Sequence, residues 1–174
     1  MSIPKVSVYA GASLDGFIAR EDGGLDWLYA VLSPGQDYGY AVFMADVDML
    51  FIGRGTYDTV LGMDPWPYVG KRVGVFTHRE GFEDARVEVL QGAIRPQLER
   101  MGAAGVRHVY LDGGKLIRQG LAEGVVDELT VSVLPKLLGR GIPLFGPEVP
   151  EIDWRLRRSE AFPTGLVQLR YFRP

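Results

Sequence analysis

The chain has 174 residues, 47% of them hydrophobic and 24% charged, the make-up of an ordinary soluble globular protein with enough length for one well-buried domain. Its net charge of −3, with both signs scattered, offers no electrostatic footprint for nucleic acid or an anionic membrane, and zero cysteines exclude disulfides, iron–sulfur clusters and thiol nucleophiles. The N-terminal stretch, interrupted by Lys5 and Asp15, lacks the length of a signal-peptide core or a membrane span, so a soluble, cytoplasmic protein is expected.

Residues 5–10 form the first predicted strand, followed by an irregular, Gly-rich loop over 11–32 whose length marks it as a lid or binding loop. Ser33-Pro34-Gly35-Gln36 reads as a helix start, with Ser33 as N-cap, Pro34 at the first helical position and Gln36 completing a capping box; this helix is predicted to run to about Ala45. Residues 49–52 are a strand, 56–61 a short helix, and Asp64-Pro65-Trp66-Pro67 a loop in which proline prevents helix continuation. Strands at 72–76 and 87–90 precede a helix over 94–101, with apolar spacing at Ile94, Leu98 and Met101. A strand at 108–111, a helix at 114–121 and a strand at 127–134 continue the alternation, which implies a largely parallel sheet with helices on both faces. Residues 155–162 and 166–172, joined by Pro163-Thr164-Gly165, read as an antiparallel hairpin, so the sheet is mixed. Arg155, Arg157 and Arg158 alternate with Trp154 and Leu156 as on a solvated strand face. No repeat or linker divides the chain, and a single domain over 1–174 is expected.

Three strand ends carry groups suited to an anion: Gly53-Arg54-Gly55-Thr56, Phe76-Thr77-His78-Arg79 and Asp112-Gly113-Gly114-Lys115. A helix N-terminus carries roughly half a positive charge and several unpaired N–H donors, and glycine lets a ligand approach the backbone closely. In α/β sheets ligands bind outside the carboxyl ends of strands, so a phosphorylated cofactor is the natural occupant. Arg54 with Thr77, His78 and Arg79 suits a ribose 2′-phosphate, which points to NADPH over NADH. No G-x-S-x-G elbow, Walker loop or G-x-G-x-x-G occurs, leaving redox chemistry on a bound cofactor as the economical reading. His78 and His108 belong to no zinc-binding pattern. Asp15-Gly16 is a turn signal. Asp37 falls in the first turn of a predicted helix, on one stripe with Tyr40, Ala41 and Met44; it either serves the helix dipole or faces a site.

Ser13-Leu14-Asp15-Gly16-Phe17-Ile18-Ala19, Gly53-Arg54 with Thr56-Tyr57, the pair Gly113-Gly114, and Asp153-Trp154-Arg155-Leu156 with Ser159-Glu160 and Phe162 occur here in order along nearly the whole chain. Together they resemble the dihydrofolate reductase superfamily, in particular its bacterial branch related to the reductase domain of riboflavin biosynthesis. The resemblance implies a three-layer fold built on an eight-stranded mixed, mostly parallel sheet, with NADPH extended across the strand ends. By match, Ala10, Gly11 and Ile18 border the nicotinamide, and Gly53, Arg54, Gly55 and Thr56 the phosphates. Thr77, His78 and Arg79 meet the adenosine 2′-phosphate, while Gly113, Gly114, Lys115, Leu116 and Ile117 cover the pyrophosphate. It also implies a cis peptide at Gly113-Gly114.

Asp37 matches the acid that engages the pterin in folate-reducing members, and so is the implied catalytic and substrate-orienting residue; Trp27 matches their Trp after the mobile loop. Lys71 or Arg72 stands in the register of the arginine that holds the folate tail. Lys136, in Pro135-Lys136-Leu137-Leu138-Gly139-Arg140-Gly141, faces substrate or sits on a hairpin. The implied activity is NADPH-dependent reduction of a pyrimidine or pteridine-type heterocycle, related to reduction of 5-amino-6-(5-phosphoribosylamino)uracil. The alternatives are dihydrofolate reduction and a non-catalytic NADPH or small-molecule binder. The zinc-deaminase signature is absent from the sequence, and this branch commonly forms homodimers.

Overall fold

The computed structural model describes residues 3–79 and 81–174. In chain order the elements are β1 (Lys5–Ser13), β2 (Phe17–Ala19), α1 (Asp26–Tyr29), α2 (Tyr40–Asp46), β3 (Met49–Gly53), α3 (Arg54–Leu61), β4 (Arg72–Phe76), β5 (Glu88–Leu90), α4 (Ile94–Ala103), β6 (His108–Asp112), α5 (Gly114–Ala122), β7 (Glu128–Leu134), β8 (Ile142–Pro143), β9 (Arg155–Ala161) and β10 (Val167–Phe172). Eight strands form one sheet in the order β5-β4-β3-β6-β1-β7-β10-β9, and β2 pairs with β8 in a separate two-stranded ribbon. The strands from β5 through β7 run parallel, while β10 is antiparallel to both β7 and β9. This is the mixed, mostly parallel eight-stranded sheet with a C-terminal hairpin expected from the sequence. Among the described residues no helix is long and apolar enough to cross a membrane.

The central strands are apolar on both faces because both faces are covered. Met49 and Phe51 of β3, Val109 and Leu111 of β6, and Val6 and Val8 of β1 pack with Ile94, Leu98 and Met101 of α4 and Leu116, Ile117 and Leu121 of α5. The alternate residues Leu50, Ile52, Val73, Val75 and Tyr110 face the other way, against Tyr57 and Val60 of α3 and Tyr40, Phe43 and Met44 of α2. At the strands' N-terminal ends the buried His108 ring bridges Ser7 Oγ at 2.8 Å and Asp46 Oδ2 at 3.1 Å, tying β6, β1 and the end of α2 together.

Two expectations change. β1 continues to Ser13, because β7 pairs with it as far as Ser13↔Leu134, and the long loop after it contains β2 and α1. The helix predicted from Ser33 begins at Tyr40. Gly35, Tyr38 and Gly39 adopt φ of 78°, 56° and 84°, left-handed values incompatible with helix propagation. The N–H groups of Gly39 and Ala41 instead donate to Asp37 Oδ1 and Oδ2, each at 3.0 Å, so Asp37 caps the shorter helix.

Gly74 shows how tightly neighbouring strands pack on this face of the sheet: a Cβ there would lie 2.4 Å from Leu90 Cδ1 of β5 and 3.2 Å from Met49 Cε of β3. Both side chains are fully buried and cannot withdraw. We expect Gly74→Ala to cost about 1–3 kcal/mol, read as a lowered midpoint in denaturant unfolding at unchanged slope.

Candidate functional site

A cleft of about 990 Å³ opens at the C-terminal ends of β1, β3, β4 and β6. Two strand-to-helix junctions form its floor. β3 ends at Gly53 and α3 starts at once, with no side chain capping its N-terminus. β6 ends at Asp112, and α5 follows Gly113, also uncapped. Both helices therefore present unpaired first-turn N–H groups and the positive ends of their dipoles. The junctions abut: a Cβ on Gly113 would stand 2.8 Å from Thr56 Oγ1 and 3.5 Å from the Gly53 nitrogen.

The glycines of this floor are required for different reasons. Gly113 has φ 99°, and the Gly113-Gly114 peptide is trans; the one cis peptide among the described residues is Asp64-Pro65. The expected cis bond is thus corrected, the positive φ of Gly113 making the turn instead. Gly53 has an ordinary φ of −76°, and a Cβ on Gly53 or Gly55 would meet nothing within 4 Å. Neither backbone conformation nor packing calls for glycine at these two positions. Their bare backbone leaves a cradle that a side chain would fill, beside two sets of free N–H donors, and this fits the phosphates of a bound cofactor.

Around the cradle stand Arg54, Thr56, Thr77, His78 and Lys115. The Arg54 guanidinium is held 2.7 Å from Asp58 Oδ1 and lies over the Phe82 ring at 5.1 Å. Thr77 is buried, its N–H donating to Leu90 O and its hydroxyl accepting from the Arg79 N–H at 3.1 Å.

Over the α5 end lies a strap. Ile18 of β2 packs on Gly114, where a Cβ would come 2.6 Å from Ile18 Cδ1, so a side chain there would displace the end of Ile18. The paired β8 is fixed by Arg118, which donates to Pro143 O at 2.5 Å and pairs with Glu148. The loop before β2 is fixed by Asp15, whose carboxylate accepts from Ser13 Oγ at 2.6 Å, Leu138 N at 3.1 Å and Gly139 N at 2.7 Å. The Ser13 hydroxyl and these amides hold its pKa down at about 2. Asp15-Gly16 is a turn, as read from the sequence, and also a tie to residues more than a hundred positions away.

Asp112 is the residue that sequence reasoning missed. It lies half-buried at the end of β6, on the sheet face shared with α2 and α3, and its Oδ1 accepts the Gly113 N–H at 2.8 Å. Burial pushes its pKa up to about 6, opposed by the Gly113 N–H and the Tyr110 hydroxyl. Tyr9 and Tyr68 line the same part of the cleft. The Tyr9 hydroxyl donates to Tyr38 O at 2.6 Å and accepts from Gln168 Nε2 at 3.0 Å. The signal available in the sequence was an acid closing the otherwise apolar strand His108-Val109-Tyr110-Leu111.

All the cofactor residues named from the sequence except Arg79 line this one cleft: Ala10, Gly11, Ile18, Gly53, Arg54, Gly55, Thr56, Thr77, His78, Gly113, Gly114, Lys115, Leu116 and Ile117. Arg79 is exposed outside it. Trp27, Asp37 and Lys136 are not brought to it. Trp27 is buried with Tyr38, Leu134 and Leu166, its Nε1 without a partner, while its neighbours Leu25, Leu28 and Tyr29 line the cleft. Asp37 is exposed and occupied in capping α2, and Lys136 is exposed on the loop after β7. Lys71 donates to Val47 O at 2.6 Å and Arg72 pairs with Glu88 at 2.7 Å, so neither reaches the cleft.

The family model for the RibD C-terminal domain matches residues 4–168. The uncharacterised protein YwjB of Bacillus subtilis (strain 168) is 36% identical over 172 residues, covering 97% of this chain and 98% of that protein. A crystal structure from Shewanella sp. PV-4, of a protein provisionally assigned to riboflavin biosynthesis, superimposes with a TM-score of 0.88 at 35% identity, covering 98% of this chain and 99% of that one. The deaminase/5-amino-6-(5-phosphoribosylamino)uracil reductase of Thermotoga maritima shares the fold, with a TM-score of 0.71 at 17% identity over 99% of this chain and 57% of that one.

The raised pKa of Asp112 has a stability consequence. Its folded-state value of about 6 lies above the ordinary 3.8, so the penalty for its charge is absent below about pH 4 and complete above about pH 6. Asp112→Asn keeps an oxygen for the Gly113 N–H and removes the charge. We expect it to stabilise the protein near neutral pH by on the order of 1–2 kcal/mol, after allowance for solvent at the cleft, with the gain vanishing toward pH 4 in thermal unfolding.

Proposed function

This chain belongs to the RibD C-terminal domain family, and from that premise we propose that it is an NADPH-dependent reductase of a planar pyrimidine- or pteridine-type heterocycle. The observation that carries the reading is the convergence of two uncapped helix N-termini on glycines that neither packing nor conformation demands, with Arg54, Thr77 and His78 beside them. The free N–H groups of α3 and α5 would hold the cofactor's phosphates, and Arg54, Thr77 and His78 would recognise a ribose 2′-phosphate. Ala10, Gly11 and Ile18, on the wall of the same cleft, would border the nicotinamide. When bound, NADPH supplies a hydride.

The chain's own residues have two tasks, orientation and proton delivery. Tyr9 and Tyr68 wall the space beside Asp112. Asp112, with a pKa of about 6, keeps a protonated fraction near neutrality and would hold the proton that a substrate bound beside it takes up. Dihydrofolate reduction fits less well, since neither Asp37 nor a Lys71 or Arg72 clamp reaches the cleft.

Two variants separate cofactor binding from folding. Gly55→Ala should leave stability equal or higher by up to about 1 kcal/mol, as alanine favours a helix, yet weaken NADPH binding by at least about 10-fold in calorimetric titration. Arg54→Ala should weaken NADPH by about 10- to 100-fold, and NADH much less. Undiminished NADPH binding by Gly55→Ala, or no binding by the parent protein, refutes the cofactor assignment. With an aminouracil or pterin substrate, kcat/KM should fall as pH rises through about 6 and drop by about 100-fold or more in Asp112→Asn. NADPH binding without oxidation against any such substrate identifies a binding protein instead.

A further inference from the structure

Arg54 stands where helix electrostatics opposes it. It is the first residue of α3, at the positive end of the helix dipole, where an anion is favoured and a cation is not. Its partner Asp58 lies one turn further along, the reverse of the acid-before-base order that a helix favours. The pair is open to solvent, with 29% of the Arg54 side chain and 49% of the Asp58 side chain exposed, so it holds the guanidinium only weakly.

A second hold comes from outside the helix. The Arg54 guanidinium carbon lies 5.1 Å from the centroid of the Phe82 ring and 5.9 Å from that of Tyr57. Arg54 lines the cleft and half-buried Phe82 does not, although Phe82 belongs to the loop after β4 that also brings Thr77 and His78 there. The Phe82 ring is fixed in turn. It meets Tyr57 edge-on at 5.0 Å, the Tyr57 hydroxyl donates to Asp84 Oδ2 at 2.5 Å, and Arg86 Nη2 donates to the same oxygen at 2.6 Å while stacked over Trp66 at 4.4 Å. The buried Tyr57 thus fastens this loop to α3 and sets Phe82 against Arg54.

An arginine that moves freely on a helix surface loses rotamer freedom when it closes on a phosphate. Here Asp58 takes the Nε and Phe82 one face of the guanidinium, so part of that loss is already met in the folded protein. The two holds differ in what they do to a ligand. The Asp58 carboxylate, itself on the cleft lining, repels an incoming phosphate, whereas an uncharged ring holds the cation without that penalty.

We propose that Phe82 is a specificity-determining positioning residue: by holding the Arg54 guanidinium against its ring, it sets the preference for a cofactor that carries a 2′-phosphate. The inference rests on the reductase reading above. A cofactor with a bare 2′-hydroxyl offers Arg54 no phosphate at that position and gains little from the same arrangement.

Calorimetric titrations with NADP⁺ and NAD⁺ test this. Phe82→Leu and Phe82→Met keep an apolar side chain and remove the ring, while Phe82→Tyr keeps the ring. The two ring-less variants should bind NADP⁺ about 3- to 10-fold more weakly and NAD⁺ within about 2-fold of the parent protein, and Phe82→Tyr should match the parent with both. In an Arg54→Ala background, Phe82→Leu should change the NADP⁺ affinity by less than about 2-fold, since the ring then has nothing to hold. Undiminished NADP⁺ binding by the ring-less variants, equal weakening of both cofactors, or an effect of Phe82→Leu that persists without Arg54 overturns the proposal and leaves the cofactor assignment standing. Absence of NADP⁺ binding by the parent protein overturns the reductase reading and this proposal with it.

Discussion

The site depends on two neighbouring parallel strands sending their helices to opposite faces of the sheet. β3 and β6 are hydrogen-bonded side by side, through registers such as Met49↔Val109 and Ile52↔Asp112. From their adjacent ends α3 turns to the face where Tyr57 and Val60 are buried, and α5 turns to the other, burying Leu116, Ile117 and Leu121. A crevice must open where the two paths diverge. The contact between Gly113 and the Thr56–Gly53 corner fixes its width, since a side chain at 113 would push the junctions apart. The floor, the free N–H groups and the position of Asp112 all follow from that one divergence.

The rest of the structure keeps the crevice in shape. The β2–β8 ribbon joins segments far apart in sequence, and each side has its own anchor: Asp15 for the loop leading into β2, and Arg118 for β8. A depressed carboxyl pKa at Asp15 and a raised one at Asp112 show the two environments side by side. Asp15 is surrounded by donors that favour its charge, whereas Asp112 is buried with few.

Much of this was legible in the sequence because the signals were local and agreed with one another. Met49–Gly53 alternates its side chains between two cores, and α4 and α5 carry their apolar residues at helical spacing. The strand ends with glycine, threonine and cations marked the cleft. What failed was non-local or ambiguous. Ser33-Pro34-Gly35-Gln36 satisfies a capping pattern, but the left-handed backbone at Tyr38 and Gly39 overrides it, and Asp37 takes the cap nearer the real helix. β2 and β8 are too short to announce themselves and exist only through each other. Asp112 was hidden because an acid before two glycines reads as punctuation; its place among Tyr110 of β6, Tyr40 of α2 and Tyr68 is a tertiary fact.

Trp27, set aside from the cleft, has an optical consequence. Its indole is 3% exposed, lacks a hydrogen-bond partner and packs in a small apolar cluster, surroundings that hold tryptophan emission at short wavelength. The next residue, Leu28, is part of the cleft wall. A ligand that absorbs in the near ultraviolet and settles against Leu28 would quench this indole by energy transfer. The half-buried Trp154 stands just ahead of β9, the sheet's outermost strand on the hairpin side. The molecule thus carries a spectroscopic reporter of its own occupancy, built from a residue that need not touch what it reports.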